Sequence, residues 1–293
     1  MYLPDVEFHD ATTVAEATEL MARFAPDARY LAGGTDLLVD LKTGRDKVGH
    51  LIAIGRIDAL RGVAADASGL RIGALVTAAE LAASPVVRER FAPLLDAVRE
   101  LAAPQIRNMA TIGGNITSAV PSADMPPILI AMRASVALQS PTGERFIPLE
   151  SYFLGPRVSI RAADEIVTAL LVPQPPSGFG AAYARFAHRR ANSCAVAGVA
   201  AGLQLNADGT IGDARVVLGA VAPTPLLAAT VRAYLIGRSP DNESFGEAGR
   251  LAAAAAAPIT DVRGTADFRR EIVTVLTRRA LAAASQRAKE TTS

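Results

Sequence analysis

Cysteine is almost absent from this sequence, since Cys194 is the one cysteine among 293 residues. A single thiol cannot form a disulfide within the chain, complete a cysteine-ligated zinc site or hold an iron–sulfur cluster. None of these groups can therefore hold this chain together or carry its redox chemistry. Cys194 lies in a run of small residues with no histidine beside it, which predicts a buried, unreactive thiol.

An excess of charge of one sign is also missing, because 30 lysines and arginines face 29 aspartates and glutamates. Nucleic-acid binding depends on clustered cations, so this balance argues against a nucleic-acid partner. The segment Met1–Phe8 lacks the basic and apolar parts of a signal peptide, and no apolar run is long enough to span a bilayer. We therefore expect a cytoplasmic protein without a membrane-spanning segment.

The chain does have length and apolar content, with half of its residues hydrophobic, which is enough for a substantial core. Its first part alternates strand and helix patterns. These predict helices at 14–24 and 86–101, strands at 28–31, 50–54 and 69–73, a hairpin over 136–147 and a strand at 166–172.

The pattern changes after Pro173–Gly178, a segment rich in residues that break helices and strands and thus a predicted linker. Beyond it, strands are predicted at 195–205 and 211–221, and helices at 226–236, 245–256 and 266–284. Strands followed by helices indicate a separate α+β domain. We therefore expect two domains, at residues 1–174 and 179–287.

Two glycine pairs mark candidate binding segments, Ala32–Asp36 and the loop predicted at Thr111–Asn115. Glycine lets backbone N–H groups approach a ligand, and a following helix N-terminus favours an anion. Together the segments could hold one extended phosphate-bearing ligand; ordinary tight turns are the alternative. Neither Gly-x-Gly-x-x-Gly nor the P-loop pattern occurs, which argues against two common nucleotide-binding folds.

The histidines His9, His50 and His188 are far apart and share no metal-ligand spacing. We expect them at surface or structural positions, and no metal site on this chain. A local basic group near the second domain's start is either a solvated face or a contact to a phosphate or partner chain. It consists of Arg185, His188, Arg189 and Arg190.

Three segments taken jointly resemble a known family. Ala32–Leu38, Gln105–Ile116 and Asp124–Pro126 are similar to the FAD-binding medium subunit of molybdenum hydroxylases, the group of xanthine dehydrogenase and aerobic carbon monoxide dehydrogenase. The resemblance implies an α+β fold. Residues 1–174 would form an FAD-binding domain of the p-cresol methylhydroxylase type with two subdomains. Residues 179–287 would form a smaller domain of the carbon monoxide dehydrogenase flavoprotein type, a sheet plus helices.

The resemblance also implies FAD as the cofactor, lying extended between the subdomains, with no catalytic residue and no metal ligand on this chain. By position, the pyrophosphate would be held by Leu31, Ala32, Gly33, Gly34, Thr35, Asp36, Leu37 and Leu38. The second phosphate-side loop would be Thr111, Ile112, Gly113, Gly114 and Asn115. Further cofactor contacts are implied at Leu101, Asp124, Ile166 and Arg185, where Arg185 replaces a lysine that relatives often carry.

The implied function is electron transfer. A large molybdopterin-binding subunit would oxidise the substrate, a small subunit with [2Fe–2S] clusters would relay electrons, and FAD on this chain would pass them to an external acceptor, in an expected dimer of heterotrimers. The related 4-hydroxybenzoyl-CoA reductase carries an additional four-iron cluster that Cys194 alone cannot ligate. Two alternatives stay open: a self-sufficient flavoprotein oxidase or dehydrogenase, and a non-catalytic assembly subunit that has lost FAD.

Overall fold

The computed structural model of the protein describes residues 4–189 and 191–291. The first subdomain consists of β1 (Glu7–Asp10), α1 (Val14–Phe24), β2 (Ala28–Leu31), α2 (Leu37–Lys42) and β3 (His50–Ala53). Its three strands form a parallel sheet in the order β1–β3–β2. The helix predicted at 14–24 is confirmed. It begins where Thr13 Oγ1 accepts a hydrogen bond from Glu16 N at 3.1 Å.

The two helices of this subdomain cover opposite faces of its sheet. Helix α1 packs Met21 into the same apolar cluster as Ile52, whereas α2 packs Leu41 with Leu51. Neighbouring residues of a strand point to opposite faces, so Leu51 and Ile52 of β3 separate two small cores.

The second subdomain is built on an antiparallel sheet of five strands in the order β4–β5–β10–β6–β7. The predicted hairpin and the strand at 166–172 are confirmed. The elements are β4 (Val63–Ala65), β5 (Gly69–Gly73), α3 (Ala78–Ala83), α4 (Pro85–Arg90), α5 (Leu94–Glu100), α6 (Pro104–Arg107), α7 (Ile112–Thr117), α8 (Met125–Ala131), β6 (Ser135–Ser140), β7 (Gly143–Pro148), β8 (Phe153–Gly155), β9 (Val158–Ser159) and β10 (Ile166–Pro173).

The single helix predicted at 86–101 is wrong, because α4 and α5 are separate there. Pro93 has no N–H to continue the helical hydrogen-bond pattern, and it precedes the first residue of α5. Pro104 likewise stands at the start of α6, a position where its missing N–H costs nothing.

The C-terminal domain consists of β11 (Phe179–Phe186), β12 (Ala197–Leu205), β13 (Ile211–Gly219), β14 (Leu226–Leu227), α9 (Ala229–Leu235), α10 (Asn242–Ala255) and α11 (Ala266–Glu290). Its strands form an antiparallel sheet in chain order. The helix predicted at 226–236 begins only at Ala229, because the two preceding leucines pair with β13.

Strand β11 was not predicted, because its alanines and glycine have little intrinsic strand preference. Tertiary packing forms it. A Cβ atom on Gly180 would lie 2.1 Å from the carbonyl oxygen of Ala284, so α11 lies directly on this strand. The absence of a side chain at position 180 permits that approach.

The two faces of the C-terminal sheet are both buried. One face places Tyr183, Ala200 and Val217 in the core of the second subdomain, and the other packs against α9, α10 and α11. An ion pair reinforces this junction, since Arg287 Nη1 of α11 lies 2.6 Å from Asp96 Oδ2 of α5. In the described chain, no helix has the length and apolar character needed to cross a bilayer.

Arg269, near the start of α11, is a buried cation with only 1% of its surface exposed. Its guanidinium donates to Asp261 Oδ1 at 2.5 Å and to the carbonyl oxygens of Val196 and Ala220 at 2.9 and 3.1 Å. These bonds tie the helix to one end of the sheet's central strand pair, where β12 begins and β13 ends.

We expect Arg269→Leu to lower the free energy of unfolding by about 2–5 kcal/mol, because it leaves the carbonyl groups of Val196 and Ala220 without their buried donor, whereas Asp261 keeps Arg263. Urea unfolding followed by circular dichroism measures this. Arg270→Leu is the matched control, since the Arg270–Asp267 pair is exposed and such pairs contribute about 0.5 kcal/mol or less. Equal losses in the two variants would contradict the role given to Arg269.

Candidate functional site

The first glycine segment joins β2 to α2 at the carboxyl end of the parallel sheet. Gly34 has a φ of +70°, a left-handed conformation that glycine adopts without strain. Within the described chain, the backbone N–H groups of residues 32–37 donate to no protein acceptor, and the helical pattern starts with Leu38 N bonded to Gly34 O at 3.0 Å. Such a run of unpaired N–H groups is typical of a site for phosphate oxygens.

The second glycine segment is not the loop that the sequence predicts. Helix α7 begins at Ile112, and Thr111 caps it by accepting a hydrogen bond from Gly114 N at 3.1 Å. The N–H groups of Ile112, Gly113 and Asn115 bond to the carbonyl oxygens of residues 76, 74 and 111. Because the protein itself satisfies all four donors, this segment cannot offer them to a phosphate.

The second glycine segment can contact a ligand through its side chains. Asn115 Oδ1 is buried and has no hydrogen-bond partner in the described chain. An unsatisfied buried acceptor costs about 1–3 kcal/mol, so a bound donor would relieve it. Gly113 packs α7 against β5, since a Cβ atom there would lie 2.7 Å from Ala74 Cβ.

The two segments are brought together by backbone contact. A Cβ atom on Gly33 would lie 1.8 Å from the carbonyl oxygen of Met109 and 2.8 Å from its carbon. No side chain larger than hydrogen fits at that position. The unpaired N–H groups of residues 32–37 therefore lie where the two subdomains meet.

An ion pair across the subdomains holds α2 in place. Asp40 is buried on α2, and its two carboxylate oxygens accept from Arg45 Nη1 at 2.8 Å and from Arg157 Nη1 at 2.6 Å. Arg157 belongs to the turn between β8 and β9 of the second subdomain. The pair thus fixes the helix that follows the first glycine segment.

Asp124 and Arg185 lie in one buried cluster at the junction with the C-terminal domain. Arg185 Nη1 lies 3.2 Å from Asp124 Oδ2, Arg185 Nε donates to Glu100 Oε2 at 2.8 Å, and Tyr183 Oη donates to Asp124 Oδ1 at 2.8 Å. The side chain of Arg185 is 2% exposed, and its Nη2 has no partner in the described residues. Arg185 thus keeps one donor for a ligand.

Burial raises the pKa of Asp124 to about 6, although Arg185 and Tyr183 act in the opposite direction. Burial, followed by the charge of Asp124, also raises the pKa of Tyr183 well above its ordinary value. The Tyr183 hydroxyl therefore stays protonated and donates to the carboxylate at neutral pH.

The two apolar candidates lie in the core. Ile166 is 2% exposed at the start of β10 and shares a cluster with Ala32 of the first segment. Leu101 is 6% exposed after α5, and its carbonyl oxygen accepts from Arg107 Nη1 at 2.8 Å. A ligand donor that bonds to the Leu101 carbonyl oxygen would share that oxygen with Arg107.

The candidate residues therefore form two groups. Residues 31–38, 111–115 and Ile166 lie around the subdomain contact, and Leu101, Asp124 and Arg185 lie where α5, α8 and β11 meet. Sequence reasoning missed Glu100, Tyr183, Asp40 and Arg157. The contacts Glu100–Arg185, Tyr183–Asp124 and Asp40–Arg157 each join residues remote in the sequence, so no local pattern predicts them.

Two expectations about polar residues are wrong. Cys194 is exposed, since it lies in the irregular segment before β12, which begins only at Ala197. The predicted basic group is not one patch, because Arg185 is buried whereas Arg189 is exposed. Arg190 lies outside the described residues. His188 Nε2 bonds to the carbonyl oxygen of Arg263 at 2.7 Å.

A two-subdomain α+β fold with unpaired backbone donors at the subdomain contact defines a nucleotide-cofactor-binding protein. Comparison with known proteins specifies the cofactor. Residues 4–175 match the family described as FAD binding domain in molybdopterin dehydrogenase, and residues 182–284 match the CO dehydrogenase flavoprotein C-terminal domain.

Individual relatives agree with these matches. The carbon monoxide dehydrogenase medium chain of Hydrogenophaga pseudoflava is 35% identical over 97% of this chain and 98% of that protein. A putative xanthine dehydrogenase FAD-binding subunit of Escherichia coli is 36% identical over 75% of each chain. The solved carbon monoxide dehydrogenase of H. pseudoflava superimposes with a TM-score of 0.94, covering 98% of this chain and 99% of that one.

The chain belongs to the family of FAD-binding medium subunits of molybdenum hydroxylases. It is a subunit of an oxidoreductase, and FAD is its cofactor. The expected fold, an FAD-binding domain of two subdomains followed by a sheet-plus-helix domain, is confirmed. The unpaired N–H groups and the orphaned Asn115 Oδ1 fit a cofactor with a pyrophosphate and hydrogen-bond donors.

We expect Gly33→Ala to abolish stoichiometric flavin content, because its Cβ atom would overlap the Met109 carbonyl and separate the two subdomain segments. The ratio of flavin to protein absorbance after purification measures this. Gly55→Ala is the control, since no atom of the described residues lies within 4 Å of a Cβ atom there. Full flavin content in Gly33→Ala would contradict the placement of the cofactor beside this contact.

Asp124 predicts a pH dependence of stability. A carboxyl whose pKa is raised on folding, here to about 6, stabilises the fold below its unfolded pKa of about 4 and loses that contribution as the pH rises through 6. Asp124→Asn removes the titration. The unfolding free energy of the wild type minus that of the variant should therefore fall by about 1–3 kcal/mol between about pH 4 and about pH 7. A difference that stays constant in urea titrations over that range would count against this assignment.

Proposed function

We propose that this chain is the electron-transfer subunit of a molybdopterin-dependent hydroxylase or dehydrogenase. It takes electrons from [2Fe–2S] clusters of a small partner subunit and passes them to an external acceptor. The observation that carries the proposal is the run of unpaired N–H groups at residues 32–37, held against the second subdomain by the Gly33–Met109 contact. When bound, FAD supplies the capacity to accept and release electrons.

The binding roles follow from the contacts. The backbone of residues 32–37 donates to the pyrophosphate, and Gly33 and Gly34 allow the close approach of that backbone. Asn115 Oδ1 accepts a hydrogen bond from the cofactor. Arg185 Nη2, which has no partner among the described residues, donates to the cofactor. Asp124 acts through Arg185, which it orients and whose charge it balances.

The other residues of the site contribute position rather than charge. Leu31, Leu37 and Leu38 pack α2 onto the sheet, and Ile166 lines the same subdomain contact. Leu101 shapes the junction beside Glu100. Thr111, Ile112 and Gly113 hold α7 in place. A Cβ atom on Gly114 would lie 2.8 Å from Thr111 Oγ1, so the missing side chain leaves room for that hydroxyl.

The division of labour with partner chains is supported by the single cysteine, because one thiol cannot ligate a cluster. Relatives named as medium chains of carbon monoxide dehydrogenase, glyceraldehyde dehydrogenase and nicotine 6-hydroxylase act in systems with different substrates. The substrate is therefore chosen on a large molybdopterin-binding subunit. The assembly is a dimer of heterotrimers in the cytoplasm. The FAD-binding domain of this chain spans residues 1–174, and the C-terminal domain spans residues 179–287.

The test is reduction of the flavin by the small partner subunit. The chain is purified alone and in complex with its iron–sulfur partner, and the partner's clusters are reduced under anaerobic conditions. We expect flavin absorption to bleach in stopped-flow experiments when the partner is present, and the chain alone to turn over no aldehyde, purine or N-heterocycle. The Gly55→Ala protein serves as a flavin-containing control, because a Cβ atom at residue 55 contacts none of the described residues.

Two outcomes would overturn the proposal. Turnover of a substrate by the isolated chain would identify a self-sufficient flavoprotein. A colourless chain that cannot be reconstituted with FAD would identify an assembly subunit.

A further inference from the structure

Two histidines remote in sequence are brought together in the first subdomain. Strands β1 and β3 run parallel with Glu7 opposite His50, and His9 follows Glu7 by two residues. Since side chains two residues apart point to the same face of a strand, Glu7, His9 and His50 share one face of the sheet. Strand pairing, not sequence spacing, creates this cluster.

The three side chains are close enough to share one ligand. His9 Nε2 lies 3.1 Å from His50 Nδ1, and the carboxylate oxygens of Glu7 lie 3.8 Å from the first nitrogen and 3.5 Å from the second. Two imidazole nitrogens bound to one tetrahedral zinc ion at about 2.0–2.1 Å lie about 3.3 Å apart. The observed spacing matches that geometry.

The surroundings orient the ligands and leave them accessible. Phe24 stacks on both rings, with centroids 4.7 Å from His9 and 4.0 Å from His50. The histidine side chains are 14% and 21% exposed, whereas that of Glu7 is 66% exposed. The imidazoles are therefore held in place, and the carboxylate can move toward an entering ion.

We propose that Glu7, His9 and His50 form a binding site for a divalent transition-metal ion of the zinc class, with water in the remaining coordination position. Imidazole and carboxylate are ligands that zinc accepts together. The ion ties β1 to β3, strands that α1, β2 and α2 separate along the chain. When the metal binds, the ring that donates in the His9–His50 hydrogen bond carries its proton on its other nitrogen, so that both facing nitrogens offer a lone pair.

This metal site is separate from the flavin site. His50 is the first residue of β3 and pairs with Ala28, whereas the glycine segment follows Leu31 at the other end of the parallel β2–β3 pair. The two ends are about 10 Å apart at about 3.3 Å per residue. Flavin content can therefore serve as an independent check of folding.

The experiment is zinc binding by equilibrium dialysis of the metal-stripped, flavin-containing chain. We expect one equivalent of zinc per wild-type chain, and a dissociation constant raised more than about 100-fold in His50→Phe, which keeps a ring against Phe24; a lost ligand should cost more than a lost supporting contact. Glu7→Gln should weaken binding at least about tenfold without changing the melting temperature of the metal-free protein. His188→Asn and Cys194→Ser should bind as the wild type does.

Cobalt provides a second readout that does not depend on protein stability. Co²⁺ bound by the wild-type chain should show the visible absorption bands of a tetrahedral site. At the same cobalt concentration these bands should be weaker in Glu7→Gln and missing in His50→Phe. Zinc binding below one equivalent in the wild type would overturn the proposal. Equal affinity in the wild type and in flavin-containing His50→Phe would overturn it as well, and would leave the histidines as a hydrogen-bonded pair.

Discussion

The close approach of two stretches of backbone governs this protein's cofactor site. Gly33 meets the carbonyl group of Met109 with no room for a Cβ atom, and this contact joins a parallel three-stranded sheet to an antiparallel five-stranded one. Only glycine permits such an approach. Because the contact places the end of β2 at the subdomain junction, the unpaired N–H groups of residues 32–37 become part of a site rather than of an ordinary turn.

Ion pairs with buried carboxylates hold the domain junctions together. Asp40 binds Arg157 across the two subdomains, and Asp124 binds Arg185 across the boundary with the C-terminal domain. A buried carboxylate without a cation is strongly destabilising, so each pair also specifies which elements meet. The first pair holds the helix that follows the first glycine segment, and the second consists of two candidate cofactor residues. The same ion pairs therefore fix the domain arrangement and the site.

Local sequence patterns predicted most elements, since amphipathic helices such as 14–24 and paired strands such as 136–147 carry their own periodicity. They failed where the deciding contact was remote. Strand β11 forms because α11 lies on Gly180, and Thr111–Asn115 is a helical turn because residues 74 and 76 accept its N–H groups. Cys194 is exposed in the irregular segment before β12, although its small apolar neighbours suggested burial.

By itself the sequence determined which residues are available: two glycine pairs, a linker rich in proline, one cysteine and the segments that resemble the family. These depend on composition and short spacing, which the chain carries before it folds. Only the tertiary structure decided that Asp124 pairs with Arg185 and that His9 meets His50. Those contacts depend on strand register and domain packing, which bring together residues that no local spacing relates.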